Sequence, residues 1–274
     1  MTGSGTQADP YKPTTWAEFI GCTTADNVYT ELPVGGGVFD MNDYYPGGIV
    51  ETIPLRGFID GKGWTIKNAA YRGNGGSAFT MSGSLDYGQI KSLNFINFNV
   101  ATTSTSIAFL INNSSGQFSG RAFEQCQFSG RLGENSAISR CGQWSEHYRC
   151  SYNLEITGDT SIDTSYYYMS ILKYCNVDVK SINGEYTIGM SPNNSYITGS
   201  LGRLWLARSN DDACKDSVID MNLASVYQET GTPEMMLINT DKYTGTVPSG
   251  CIGVTTAQLK DAAYLHSIGF PIQV

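Results

Sequence analysis

A short apolar block keeps returning along this chain, and its return constrains the fold more than any other feature. It reads Ile90-Lys91-Ser92-Leu93-Asn94-Phe95-Ile96-Asn97-Phe98, then Phe123-Glu124-Gln125-Cys126-Gln127-Phe128. It returns as Cys150-Ser151-Tyr152-Asn153-Leu154-Glu155-Ile156 and as Tyr174-Cys175-Asn176-Val177-Asp178-Val179. Looser copies follow at Asn194-Ser195-Tyr196-Ile197-Thr198, at Val218-Ile219-Asp220-Met221-Asn222-Leu223 and at Met236-Leu237-Ile238-Asn239. A repeat of this length built from short strands predicts a solenoid. Each block has one apolar face and cannot bury it alone. Stacking the next coil pairs the backbones at about 4.8 Å and covers the apolar column, so about eight coils make a rod about 40 Å long.

Composition agrees with a β-rich globular chain. Hydrophobic residues are 41% and charged residues only 15%, against a usual charged share of about 25%. Ser, Thr, Asn, Gly and Tyr must therefore cover much of the surface. The net charge of -8 argues against nucleic acid and anionic membrane as partners, since both attract a positive patch. No apolar stretch is long enough for a membrane span. The polar opening Met1 to Pro10 has no leader character, so synthesis and assembly in a cytoplasm are expected.

The seven cysteines include no C-x-x-C pair, so no zinc or redox motif is predicted. Cys126, Cys150 and Cys175 take one repeat position, with Leu93, Tyr196 and Val218 as their expected counterparts. A column of reduced thiols packed as small hydrophobes is the expectation.

The two ends read differently from the middle. Residues 1–13 are polar and predict an extended N-terminal arm. Thr15-Trp16-Ala17-Glu18 has the form of a capping box, and Trp16, Phe19 and Ile20 share one helical face. A short helix over Trp16 to Cys22 would close one end of the solenoid, which spans residues 14–254. Residues 255–274 predict a C-terminal helix and tail, opened by a second capping box at Thr255-Thr256-Ala257-Gln258, with Leu259, Ala262 and Ala263 on one face. Gly269 and Pro271 stop it.

The sharpest single segment is Phe58-Ile59-Asp60-Gly61-Lys62-Gly63-Trp64-Thr65-Ile66-Lys67-Asn68-Ala69. Asp-Gly predicts a tight turn, followed by Trp64, Ile66 and Ala69 inward and Thr65 and Lys67 outward. With the Ile90 block, this segment resembles the first coils of pectate-lyase-like proteins. That resemblance implies an all-β fold, a single-stranded right-handed parallel β-helix, to which the two capping boxes add short capping helices at both ends. A second resemblance is to β-helical head-fibre or decoration proteins of gut tailed bacteriophages. It rests on Gly3-Ser4-Gly5-Thr6-Gln7-Ala8-Asp9-Pro10-Tyr11 and Thr15-Trp16-Ala17-Glu18-Phe19. The closing Val254 to Tyr264 is similar to the end of surface proteins of gut bacteria.

Catalytic chemistry is harder to find. Pectinolytic relatives imply several acids with Arg, Lys or His on one sheet face, and no such set falls in register. Asp211 and Asp212 are adjacent, which on a strand sends them to opposite faces. Asp159 and Asp163 would suit a pair of carboxylates at about 5 or 6.5–9.5 Å, but a chain with 25 acids meets that description readily. Asp178 belongs to another coil. His147 is read in a polar turn before a strand, and His266 at the last helix end, where a cation suits the dipole. The glycine clusters at 35–37 and 73–76 lack the Lys-Ser/Thr and helix of a phosphate loop.

Tyr166, Tyr167 and Tyr168 form the one run suited to stacking on a glycan or a partner. The expectation is thus a non-enzymatic structural protein of a bacteriophage virion, without cofactor or metal. It would form a homo-oligomer, a trimer by preference, among other capsid proteins, and would touch host-surface glycans. Asp9, Pro10 and Tyr11 in the arm would dock it to the particle. A polysaccharide-degrading lyase or hydrolase on the same fold and a bacterial surface adhesin are the alternatives.

Overall fold

The computed structural model describes residues 1–73, 75–81, 89–102, 106–113, 117–141, 143–163, 171–206, 214–228 and 235–271. The strands stack coil on coil into three parallel ladders. The first ladder runs through Val38–Asp40, Thr65–Lys67, Asn94–Val100, Gln127–Leu132, Ser151–Ile156 and Asn176–Ser181. It continues through the starts of the long strands Tyr196–Leu206 and Val218–Gln228, then Met236–Asn239 and Cys251–Val254. The second runs through Ile53–Pro54, Gly76–Met81, Ala108–Asn113, Ser136–Arg140, Thr160–Asp163 and the start of Thr187–Asn193. It ends on the far halves of the same two long strands. The third takes Tyr29–Glu31, Phe58–Asp60, Ile90–Lys91, Gln117–Glu124, Gln143–Tyr148, Ile171–Lys173 and the end of Thr187–Asn193. This is the parallel β-helix that the repeat and the resemblance imply.

Period-two alternation fills the centre. Phe39, Ile66, Phe95, Phe128, Tyr152, Val177, Ile197, Ile219 and Ile238 lie one above another in register and are all buried. Phe95 and Phe128 stack at 5.4 Å, and Phe128 and Tyr152 at 5.2 Å. Such pairs add about 0.5–1.5 kcal/mol beyond the area they bury.

From Ile90 on, the described coils enter the first ladder through a residue with left-handed backbone. These residues are Ser92, Gln125, Arg149, Tyr174, Asn194, Asp216 and Met235. Side chains other than Gly, Asn and Asp seldom adopt that conformation; here the strands on both sides fix it. The next residue in each coil points inward: Leu93, Cys126, Cys150, Cys175, Ser195, Ser217 and Met236 are all buried. The cysteine column is therefore core, as expected, but its continuation differs. Tyr196 pairs with Asn176 and Val218, one step past the corner, and is exposed. The true successors are Ser195 and Ser217. They replace weak thiol donors by stronger hydroxyl bonds: Ser195 Oγ donates to the Leu172 carbonyl at 2.7 Å and accepts the Cys175 N–H at 3.0 Å. Ser217 Oγ accepts the Ser195 N–H at 3.0 Å.

The Asp60 turn forms for a different reason than the sequence suggests. The left-handed residues are Lys62 and Gly63, not Gly61. Asp60 Oδ1 accepts the Lys62 N–H at 3.1 Å. Gly61 is needed for closeness, because a Cβ there would sit 2.7 Å from Leu93. Ile66 and Ala69 are buried and Lys67 is exposed, as predicted, while Trp64 is half-buried and its indole N–H donates to the Pro33 carbonyl at 2.8 Å.

Both ends are closed. Helix Trp16–Cys22 lays Trp16 and Phe19 on Phe39. Thr15 caps it, but Glu18 does not complete the box. Its carboxylate instead takes the Thr14 N–H at 2.9 Å and the Met1 ammonium at 2.6 Å. The arm is not extended. Thr2 bridges Lys12 antiparallel, and the Tyr11 N–H donates to the Tyr29 carbonyl at 2.9 Å, adding a strand-like step to the third ladder. At the other end the expected helix is two, Thr256–Leu259 with a full capping box and Ala262–Ser267 capped by Asp261. Leu259, Tyr264, Leu265 and Ile268 pack against the cluster of Leu237, Val254 and Phe270, whereas Ala262 and Ala263 are exposed.

Candidate functional site

The three ladders share coils and register, so their outer faces can be compared residue for residue. The third face is charged and self-neutralised. Lys62 Nζ lies 2.8 Å from Asp60 and 3.3 Å from Glu31; the hydrogen bond to Asp60 raises the lysine's pKa. Lys91 and Arg121 meet Glu124 at 3.5 and 3.3 Å, and Lys173 meets Glu146 at 3.5 Å. The Arg121 guanidinium also lies 3.7 Å above the Tyr148 ring, a cation–π geometry.

The first face is amide-rich and also largely paired. Asn97 donates to Asn68 at 2.6 Å, and Asn68 donates to both oxygens of Asp40 at 2.8 and 2.9 Å. Arg131 pairs with Glu155. Near the C-terminal end Asp220 gathers Tyr196 at 2.7 Å, Asn239 at 2.6 Å and Lys242 at 2.8 Å. Burial acts to raise the Asp220 carboxyl, but these bonds outweigh it and hold it below the usual range.

The second face carries a groove of about 380 Å³. Its floor is small: Ser161 pairs with Gly189, and Gly189 pairs with Trp205. Its far wall is aromatic, because Trp205 pairs in turn with Tyr227 on the next coil. Two residues away on the same face, Arg203 sits between Thr187 and Ser225. Arg203 is exposed and has no ion pair among the described residues. Asp159 lies further along the groove, two coils before Arg203, and accepts the Thr187 N–H at 2.7 Å. The Trp205 indole nitrogen is shut off from solvent and lacks a hydrogen-bond partner, an uncommon state for a buried indole N–H. Tyr227 is 55% and Ile107 42% exposed, at opposite ends of the groove. Sequence reading missed Arg203, Trp205 and Tyr227. The alternation in Arg203-Leu204-Trp205-Leu206 was the available signal, with both large polar-tipped residues falling on the outward phase.

The residues singled out from sequence do not converge. Tyr166, Tyr167, Tyr168, Asp211 and Asp212 lie outside the described residues. Asp159 is in the groove, whereas Asp178 is on the first face, where Thr198 donates to it at 3.1 Å. His147 is not in a turn: it lies within Gln143–Tyr148 and faces the core between Phe123 and Leu172. It is fully buried, with Nε2 3.2 Å from Ser139 Oγ and Nδ1 2.5 Å from the Tyr152 hydroxyl. This Ser-His-Tyr chain is sealed inside the rod and satisfies its own members. Asp9, Pro10 and Tyr11 form a knuckle against the first coil. The Asp9 carbonyl accepts the Ser4 and Gly5 N–H groups at 3.0 Å, and the Tyr11 ring packs over Gly5.

Among the described residues no three His, Cys, Asp or Glu side chains are placed to hold one metal ion, and no helix is long and apolar enough to cross a membrane. Comparisons with known protein families, with curated proteins and with solved structures found no match to this chain.

Proposed function

We propose that this chain is a non-enzymatic structural protein of a bacteriophage virion, a capsid-attached fibre or decoration protein that contacts host-surface glycans. The observation that carries the non-enzymatic part is the state of five acids on the first and third faces. Asp40, Asp60, Glu124, Glu146 and Asp220 are each bound to a cation or an amide. General acid–base chemistry needs a carboxyl free to exchange its proton at a reacting atom; Asp60 is instead held by Lys62 of its own coil, and Asp40, Glu124, Glu146 and Asp220 tie neighbouring coils together. The resemblance of residues 3–19 to phage appendage proteins supports the virion assignment. The knuckle at Asp9, Pro10 and Tyr11 offers a compact docking point at one end of the rod, and three copies would pack laterally about an axis.

The test has two arms. Tagged chain produced during infection should co-sediment with particles, and Asp9→Lys should reduce that association. Deleting residues 1–12 would be a poorer test, because it also removes the Tyr11 bonds to the third ladder. Incubation with acidic and neutral polysaccharides should release neither reducing ends nor unsaturated products. Robust turnover would install the polysaccharide-degrading reading, with Asp159 as its first candidate acid.

A further inference from the structure

We infer that the groove over the second ladder binds a neutral polysaccharide chain running along the rod axis, stacked on Trp205 and Tyr227 and hydrogen-bonded by Arg203 and Asp159. The inference deepens the proposed glycan contact, rests on that reading, and moves the contact to residues that sequence reasoning did not identify.

Shape comes first. The lining residues climb one coil at a time, from Ile107 through Asn135, Asp159, Thr187 and Arg203 to Tyr227. Five coil steps at about 4.8 Å give a run of about 24 Å, which fits a linear polymer better than one small molecule. Trp205 and Tyr227 are register partners, so their rings sit on successive coils along that run. Aromatic faces of this kind offer large, rigid, amphipathic contact.

Polarity narrows the class. The groove supplies a strong donor in Arg203 and an acceptor in Asp159, which has one oxygen engaged by the Thr187 N–H. Hydroxyl groups both donate and accept, so they satisfy both sides. An acidic polymer would meet Asp159 and a chain of net charge -8. A peptide strand would find no free backbone here, because this is the face of a ladder and not its edge, and strand addition needs an edge.

The measurement is calorimetric titration of the full chain with a soluble glucan, mannan and galactan, and with polygalacturonate as the acidic control. At least one neutral polymer should bind and polygalacturonate should not. Trp205→Ala should weaken binding at least tenfold, and Arg203→Met and Tyr227→Ala several-fold, with unfolding midpoints near wild type. Trp205→Phe keeps a stacking face and should bind measurably, which covers the case where the alanine variant does not fold. Binding that survives both Trp205→Ala and Arg203→Met, or no neutral polymer bound, overturns the inference. So does self-association that Trp205→Ala abolishes, since the groove would then seat a second copy. Particle association without glycan binding sinks this inference and leaves the virion reading standing. Binding with turnover leaves the groove and sinks the non-enzymatic reading.

Discussion

The second and third ladders are built by the same coils, yet their outer faces are opposite in kind. On the third face Glu31, Asp60, Lys62, Lys91, Glu124, Glu146 and Lys173 neutralise one another within and between coils. On the second, Arg203 is exposed with no ion pair among the described residues, and Trp205 pairs with Tyr227, which stands largely in solvent. A parallel β-helix repeats position for position, so side chains on neighbouring coils meet whatever they are. Where they complement each other, the face is a seam that helps hold the rod. Where they do not, donors and aromatic rings stay open to solvent, and a partner can take them up.

The comparison can be broken or sharpened by substitution. The largest effect should come from the core that both faces share. Phe128→Ala opens a hole in the aromatic stack and should cost about 3–5 kcal/mol by chemical denaturation. It should loosen both faces together; loss confined to one would mean that the ladders fold as separate units.

The corner column comes next. Ser195→Ala leaves the buried Cys175 N–H unpaired and should cost about 1–3 kcal/mol. Cys175→Ser should stay within about 1 kcal/mol of wild type, because serine already occupies the following two coils.

Strong acid should loosen the N-terminal cap. The hydrogen bond from the Met1 ammonium, then those from Thr14, hold Glu18 at about 2, below its usual 4.5. The stabilisation is fully present above the usual carboxylate range and is lost as pH falls through about 2. Hydrogen exchange near helix Trp16–Cys22 should therefore rise over that window, and Glu18→Gln should flatten the rise. The smallest effect belongs to the charged face: Lys173→Ala should shift stability by at most about 1 kcal/mol and leave glycan binding unchanged.

Much of this architecture was legible in the sequence because it depends on periodicity. The alternation through Ile66, Phe95, Phe128 and Tyr152 marks the inner column directly, and the recurring cysteines mark the corner. Register was legible only where a block was strong. At Tyr196 the repeat slipped by one residue, because serine at 195 and 217 looks like surface while it is in fact a buried hydroxyl ladder. The left-handed corners were hidden for a related reason: Gln125, Arg149, Tyr174 and Met235 have no intrinsic preference for that backbone, which the flanking strands impose. His147 looked polar and local because its partners, Ser139 and Tyr152, belong to different strands. The groove was illegible because Asp159, Arg203 and Tyr227 belong to different coils, and only stacking brings them to one face.

The central claim is that the second face, not the third, receives the partner. Hydroxyl-radical footprinting of the full chain, alone and with a saturating neutral polysaccharide, tests it most directly. The account predicts protection of Trp205 and Tyr227, with Tyr148 and Tyr174 on the charged side unchanged. Protection at Tyr148 and Tyr174 instead, or at none of the four, would contradict it.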